Sequence, residues 1–420
     1  MASVQKWRTA HRSALLIATA AICASLLFSF LIFPLVSEPL NLNVDPDKLG
    51  ELGRNLAEGR GFSYGTGSSA EPAFDRGPVY PLLVMLLSRI AGGDPLTLLQ
   101  VIQAVFHGCT GFLLYHIGMT VFDRRTALLA QSIHAVHPIL IWYTARIWIE
   151  TTHTLLITAF VFSLILVWRR PTWRVLAVCA VLFALTALTK SVILPVPLML
   201  LLFAFMQKAW SYARSVALVC LLGLVLIFPW TMRNFVLSGR VIPVHTSLGL
   251  NLIQGEAIAD EWTTAPWSSL AIWEKGRQQM ELLLGPKHLQ PESPEGDATL
   301  VYAVLQRWWT HPMVLLRHVG TNAITYWYLS ESPLKSAAVI VLQIPLLMLA
   351  AAGIRRAGRK GPAARTLVIV VIVYWCVHAC IVGWLRYSVP AMPLGVLLAA
   401  AGGVSVFETQ QQRRQSTRTT

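Results

Sequence analysis

The chain has 420 residues, 55% of them hydrophobic and only 13% charged, with a mean hydropathy of +0.58 and a formal net charge of +14. A soluble globular chain carries about 25% charged residues, so this composition excludes an ordinary soluble domain. The positive charge does not indicate nucleic acid either, because the basic residues line short loops between long apolar runs and no aromatic-rich soluble domain accompanies them.

Taken in chain order, ten apolar segments are expected to span a membrane as helices, since only helices satisfy every backbone polar group within lipid. They are Ala14–Val36, Leu96–Phe122, Thr126–Tyr143, Thr151–Trp168, Val175–Leu188, Val192–Met206, Ser215–Trp230, Ala337–Ile354, Leu367–Trp384 and Val389–Val406. The first is longer than a signal-peptide core, and no small-residue cleavage pattern follows it, so it reads as an uncleaved span. With the N-terminus inside, the inner segments hold eighteen basic and two acidic residues, a net +16. The outer segments hold sixteen basic and eighteen acidic, a net −2, and together they give the total of +14. This asymmetry sets the orientation, with both termini cytoplasmic in an inner membrane. The expected organisation is a cytoplasmic N-terminus (1–12), an all-α membrane domain (13–406) and a disordered cytoplasmic tail (407–420).

Two regions lie outside. The first, 37–78, contains a short amphipathic helix at Leu49–Glu58 that stops at Gly59 and Gly61. It is followed by Val79–Ile90, apolar but too short to cross, which is expected to lie at the surface. The second, 231–335, is rich in Trp (Trp262, Trp267, Trp273, Trp308, Trp309 and Trp327) and is broken by Pro286, Pro291 and Pro294. Its Met313–Leu329 segment suits an interfacial helix. All six cysteines fall in apolar spans, away from the oxidising side, and read as buried thiols. No internal repeat is visible.

Polar residues that are costly near a membrane collect on the outer side: Asp45, Asp47, Arg76, His137, Tyr143, Arg146, Glu150, Lys190, Arg233, Asn234 and Arg386. Fixed cations suit a phosphate, Arg as a bidentate fork and Lys as a point charge. A neighbouring carboxylate suits removal of a hydroxyl proton. Together they fit transfer of a sugar from a lipid-linked phosphate, in which the cations disperse charge on the departing phosphate.

Five stretches, in order from Asp45 to Gly402, carry a resemblance. Asp45-Pro-Asp-Lys-Leu with Asn55-Leu-Ala-Glu-Gly-Arg-Gly-Phe-Ser63 and Arg76-Gly-Pro-Val-Tyr80-Pro81 resembles the first outside loop of the dolichyl-phosphate-mannose-protein mannosyltransferase superfamily. This group includes aminoarabinose transferase-like enzymes of GT-C fold. His137-Pro138, Tyr143, Arg146 and Glu150 resemble the segment between the third and fourth spans. Leu188-Thr189-Lys190 resembles the family's Leu-Thr-Arg or Lys step. Pro229-Trp230, Arg233-Asn234, Val241-Ile-Pro-Val244 and Gly249-Leu-Asn251 resemble the opening of the large loop. Arg386-Tyr387, Pro390 and Pro393 resemble the last outer turn.

The resemblance implies an inverting, polyprenyl-phosphate-sugar-dependent glycosyltransferase with about ten spans. Asp45 would be the base, or alternatively Asp47, with Glu150 as the second acid. Lys190, Arg233 and Arg386 would hold the donor phosphate. Arg76, Tyr80, His137, Tyr143, Arg146, Asn234, Asn251 and Tyr387 would support them. Leu49 stands where the family has Tyr, and Lys190 where many members have Arg.

Plainer roles compete with these. Asp45 or Asp47 would cap the helix that follows, with Asp47 better placed by position. Glu150 would pair with Arg146 four residues earlier, and Lys190 would only reach for the interface. His134, His137 and His153 lack the spacing of a metal triad, and neither a metal nor a cofactor is expected. The implied partners are a polyprenyl-phosphate-linked sugar, a lipid, protein or glycan acceptor, and membrane lipids, with no nucleic acid. A flippase for a lipid-linked sugar would use the same cations, but the absence of a repeat and the one-sided cations favour a transferase.

Overall fold

A computed structural model describes residues 2–37, 45, 47–65, 67, 70–261 and 268–419. Trp262 and Trp267 lie outside the described residues. The chain begins with α1 (His11–Ser37), a first span. The first loop contributes α2 (Leu49–Ala57) and the antiparallel pair β1 (Ser63–Tyr64) and β2 (Glu71–Pro72), with Ser63 opposite Pro72. α3 (Val79–Ala91) follows. At about 1.5 Å per residue it falls short of the roughly 30 Å hydrocarbon core, as expected of a surface helix.

α4 (Leu96–Val121) crosses back. The third expected span is not one helix. It is divided into α5 (Arg124–Ala135) and α6 (Pro138–Trp142), because Pro138 has no N–H to donate and forces His137 out of the helical region, to φ −69°, ψ 113°. The break releases the turn 143–149 that carries Tyr143, Arg146 and Trp148.

α7 (Glu150–Arg169), α8 (Trp173–Thr189), α9 (Ser191–Met206) and α10 (Trp210–Ser238) come next. Among the described residues seven helices are long and apolar enough to cross a membrane. With α8, α9 and the broken α5–α6 unit they account for the ten expected segments. α10 runs through Arg233 and Asn234 and ends at Gly239, whose φ of 68° suits glycine. The loop region after α10 therefore starts later than the expected Thr231.

That region folds as α11 (Leu248–Glu261), α12 (Ser269–Leu284), α13 (Pro294–Thr310) and α14 (Pro312–Thr325) around Leu252, Ile253, Met280, Leu300 and Val304. α15 (Pro333–Lys360) and α16 (Pro362–Ile381) are spans. α17 starts at Leu385, passes a 3-10 turn at Val389–Ala391, and continues as Met392–Thr419. The tail 407–420, expected to be disordered, is helical to Thr419, an extension of the last span by intrahelical hydrogen bonding.

Phe160, Phe183, Tyr374, Leu114 and Leu397 lie at the centre of the main apolar cluster. On the outer surface Leu221, Val225, Val341 and Met348 are exposed, as the lipid-facing side of a membrane protein requires. In lipid there is no hydrophobic drive between helices, so small residues that permit close approach hold them together. Gly353 and Gly402 do this between α15 and α17: a Cβ would lie 1.8 Å from the Leu398 carbonyl at the first and 1.9 Å from the Leu349 carbonyl at the second. Gly353→Val is expected to cost about 1–3 kcal/mol through overpacking, whereas Gly358→Val, with open space around its Cβ, costs little. Thermal unfolding of the two variants in the same detergent checks this.

Candidate active site

The site begins in the first loop, just before α2. Asp45 Oδ2 accepts hydrogen bonds from the backbone N–H of Gly50 at 2.9 Å and of Glu51 at 3.3 Å, so Asp45 caps α2. Gly50 is needed there, since a Cβ would sit 2.6 Å from that oxygen. The positional expectation that Asp47 makes the cap does not hold, because Lys48 turns left-handed (φ 55°) and sends Asp47 elsewhere. Burial raises the Asp45 carboxyl above its ordinary value, and the Gly50, Glu51 and Leu49 N–H groups offset this only in part.

Asp47 instead meets Arg386. The Arg386 Nη1 group donates to Asp47 Oδ1 at 3.3 Å, and Nη2 pairs with Oδ2. Arg76 Nη2 lies 3.7 Å from Asp47 Oδ1. Burial acts to raise the Asp47 carboxyl, but the charges of Arg386, Arg76 and Lys190 hold it well below the usual range. Glu150 is fully buried at the start of α7, and its Oε1 accepts from Arg386 Nε at 2.6 Å and Lys190 Nζ at 3.4 Å. Arg386 therefore joins Asp47 to Glu150 through the two edges of one guanidinium. Arg76 also pairs with Asp75 at 3.4 Å, and Asp75 accepts from the Tyr64 hydroxyl at 3.1 Å.

Close backbone contacts bring these groups together. At Gly77 a Cβ would be 2.0 Å from the Leu188 carbonyl, so the Arg76-Gly77-Pro78 turn lies directly on the Leu188-Thr189-Lys190 step. At Gly383 a Cβ would be 2.0 Å from the Asn322 carbonyl, and the Gly383 N–H donates to Asn322 Oδ1 at 2.7 Å, which fixes the turn before Arg386. Lys190 lies 4.6 Å over the Tyr387 ring. The Tyr387 hydroxyl donates to Asn251 Oδ1 at 2.9 Å, and Asn251 Nδ2 donates to the Ser247 carbonyl at 2.6 Å.

Other expected residues build the walls. Arg146 does not pair with Glu150. It reaches Glu331 at 3.4 Å and stacks 3.8 Å over Trp148, because the turn 143–149 precedes α7 and places the two residues off a shared helix face. Arg386 lies 4.7 Å over Trp148 as well. Tyr80 donates to Gln103 at 3.1 Å, and Gln103 donates to the Thr144 and Arg146 carbonyls at 2.9 Å each, which holds that turn. Tyr143 is buried against Trp148. His137 is buried, and neither ring nitrogen has a hydrogen-bond partner among the described residues.

Arg233 is not joined to the Asp47–Glu150 group. It donates to the Ala73 carbonyl at 2.8 Å, the Phe62 carbonyl at 3.1 Å and Asn234 Oδ1 at 2.9 Å, and it faces the rings of Trp230, Phe62 and Phe74. Its position on α10 turns it toward the first loop, so it clasps that loop rather than completing the cation set. Asn234 is buried and ties the Ile242 and Val244 carbonyls, each at 3.1 Å.

Sequence reasoning missed His245. Its Nε2 is 3.2 Å from Ser191 Oγ and its Nδ1 is 2.8 Å from Ser247 Oγ. Burial, followed by the nearby Arg76 and Lys190 charges, lowers it to about 3, so the imidazole is neutral. The signal was one residue past the Val241–Val244 motif. Trp148, stacked on two arginines, carried no sequence signal at all.

Residues 75–232 match the profile of the dolichyl-phosphate-mannose-protein mannosyltransferase family. That segment holds Arg76, Glu150 and Lys190; Asp45, Asp47 and Arg386 lie outside it. Among solved structures the chain is similar to the oligosaccharyltransferase AglB of Archaeoglobus fulgidus in complex with an inhibitory peptide and a dolichol-phosphate. The identity is 14% and the TM-score 0.61, over 99% of this chain and 52% of that one. The apo form of the Archaeoglobus fulgidus oligosaccharyltransferase matches at 13% identity and TM-score 0.59, over 97% and 52%. The fold is of the GT-C type. The chain spans about half the length of these proteins, and no curated protein sequence matches it.

In this GT-C chain the two carboxylates and Arg386 depend on one another. Arg386→Ala is expected to cost about 3–5 kcal/mol, the penalty for stranding a buried partner charge, and Arg386→Lys less. Unfolding in detergent measures both. Because Asp47 is held below its ordinary value of 3.8, its ion pair contributes stability above that pH and loses it as the pH falls below. In Asp47→Asn this acid-dependent loss should be smaller.

Proposed function

We propose that the chain is a membrane glycosyltransferase that moves a sugar from a polyprenyl-phosphate donor to an acceptor hydroxyl at the outer face of the membrane, with inversion. The observation that carries this reading is the group formed by Arg76, Lys190 and Arg386 with Asp47 and Glu150, set on a GT-C fold. The match of residues 75–232 to a family named for a dolichyl-phosphate-linked donor supports it. So does the fold's likeness to a protein solved with a dolichol-phosphate.

In this mechanism Arg76, Lys190 and Arg386 receive the donor phosphate. The acceptor oxygen attacks the anomeric carbon from the face opposite the phosphate while Asp45 takes its proton. The bond from the anomeric carbon to the phosphate oxygen breaks, and the polyprenyl phosphate leaves with the electron pair. The cations disperse its charge in a site largely shielded from water. Asp45 suits the base role because its raised carboxyl is the stronger proton acceptor. Asp47, locked against two arginines, is the weaker base and the structural counter-charge. Glu150 orients Lys190 and Arg386. The acceptor is a lipid, protein or glycan hydroxyl.

Asp45→Asn tests the base. Asn still caps a helix, so insertion and folding are retained while transfer of radiolabelled sugar from a polyprenyl-phosphate carrier falls about 10²–10⁴-fold. Full activity in that variant removes Asp45 from the role. Carrier moved across a liposome bilayer without cleavage overturns the transferase reading in favour of a flippase. The wild-type rate should fall on the acid side at a pH above 3.8, the ordinary Asp value, because the base must be ionised and its carboxyl is raised. A rate profile at saturating donor checks this.

A further inference from the structure

The charged cluster rests on a second layer of polar side chains that the transfer mechanism leaves unused. Glu150 Oε1 serves both Lys190 and Arg386, but its other oxygen, Oε2, is buried with no hydrogen-bond partner among the described residues. His153 follows three residues later on α7, and Tyr374 and His378 lie four apart on α16, which packs against α7. His153 and Tyr374 are fully buried and His378 is 5% exposed. Neither nitrogen of either histidine, nor the Tyr374 hydroxyl, has a partner among the described residues. We propose that His153, Tyr374 and His378 are positioning residues for Glu150. Through ordered water that donates to Oε2 they hold the carboxylate so that Oε1 keeps Lys190 and Arg386 at the donor phosphate. This deepens the transferase reading and rests on it.

The groups are contiguous. The His153 and Tyr374 ring centroids are 6.2 Å apart, and those of Tyr374 and His378 are 4.9 Å apart. The Lys190 charge acts on both histidines, and the Glu150 charge acts on Tyr374. Six bare polar atoms thus share one neighbourhood. Each costs as much as a lost hydrogen bond, and six together would offset much of a folded chain's net stability. Buried polar groups that do not bond one another directly are joined by water, each molecule making about three hydrogen bonds. The chemistry suits water: a carboxylate oxygen only accepts, whereas an imidazole or a phenol both donates and accepts. A water can give one proton to Oε2 and accept another from a ring nitrogen or the hydroxyl. Among the described residues no three His, Cys, Asp or Glu side chains are arranged to hold a metal ion there.

His378 reaches the site by a second route. Its ring stacks with Tyr326 at 5.7 Å and with Tyr387 at 5.0 Å, at interplanar angles of 26° and 21°. Tyr387 is the ring over which Lys190 lies. Substitution separates the two routes, because Phe at 378 keeps a flat ring in the stack and removes only the nitrogens.

The test uses the full chain in lipid nanodiscs and liposomes. A cryo-electron microscopy map that resolves ordered water is expected to show density within about 3.2 Å of Glu150 Oε2, and as near to a nitrogen of His153 or His378 or to the Tyr374 hydroxyl. Direct bonds from those side chains to Oε2, or no density between them, overturn the proposal. Tyr374→Phe, His378→Phe and His153→Leu should each lower kcat for transfer of radiolabelled sugar from undecaprenyl phosphate about tenfold, the worth of one hydrogen bond to a charged group. KM for the acceptor should not move. His153→Gln, which restores a donor and an acceptor, should recover most of that loss. Tyr212→Phe removes a buried hydroxyl near the start of α10, far along that helix from Arg233, and should leave the rate unchanged. Wild-type rates in Tyr374→Phe and His378→Phe, or a His153→Gln no better than His153→Leu, remove the positioning role while transfer by the wild type stands. A wild type that transfers no sugar sinks the transferase reading even where the map shows the water.

Discussion

Arg386 bonds through one edge to Asp47 and through the other to Glu150, across sequence separations of 339 and 236 residues. Three charged groups that would each be costly alone near a membrane are tolerable because they share one guanidinium. Desolvating a charge costs several kcal/mol unless a partner and further hydrogen bonds compensate. Glu150, with no exposed surface, depends on that compensation most. The bridge also sets the geometry: a planar fork fixes the angle between its two carboxylates, so the first loop, the start of α7 and the start of α17 hold one arrangement.

The rest of the fold supplies the breaks and close approaches that let distant segments reach Arg386. Pro138 divides a span so that the turn 143–149 sits under α7. The step between α8 and α9 leaves Lys190 extended, with φ −149° and ψ 121°, facing the cluster rather than lipid. Irregular backbone at this depth is tolerated where it lines a protein site. Gly77 and Gly383 allow backbone-on-backbone contact where any side chain would collide. These positions trade helical regularity for the convergence of polar groups.

Electrostatics inside the cluster separate two aspartates only two residues apart. Asp45 is partly buried, and that burial raises its carboxyl while neutral backbone N–H groups offset the rise only in part. Asp47 is buried among cations, which lowers it. Desolvation raises both carboxyls; the charges of Arg386, Arg76 and Lys190 outweigh it at Asp47, whereas the backbone N–H groups and Arg54 do not at Asp45. His245 lies among the same cations and is kept neutral, free to bridge Ser191 and Ser247.

The sequence by itself determined the membrane-embedded helical class, the number of apolar segments, and which residues were candidates for chemistry, because hydropathy and charge placement are local properties of the chain. The order of five short motifs was likewise readable, and residues 75–232 match the family they suggested. Only the tertiary structure decided which aspartate caps α2 and which meets Arg386, since a left-handed turn at Lys48 swaps their directions. It likewise joined Arg233 to the first loop, turned Arg146 toward Glu331, and brought in His245 and Trp148. Those outcomes depend on contacts between residues hundreds of positions apart, and a side chain's partner across such a distance is fixed by packing, not by its neighbours in sequence.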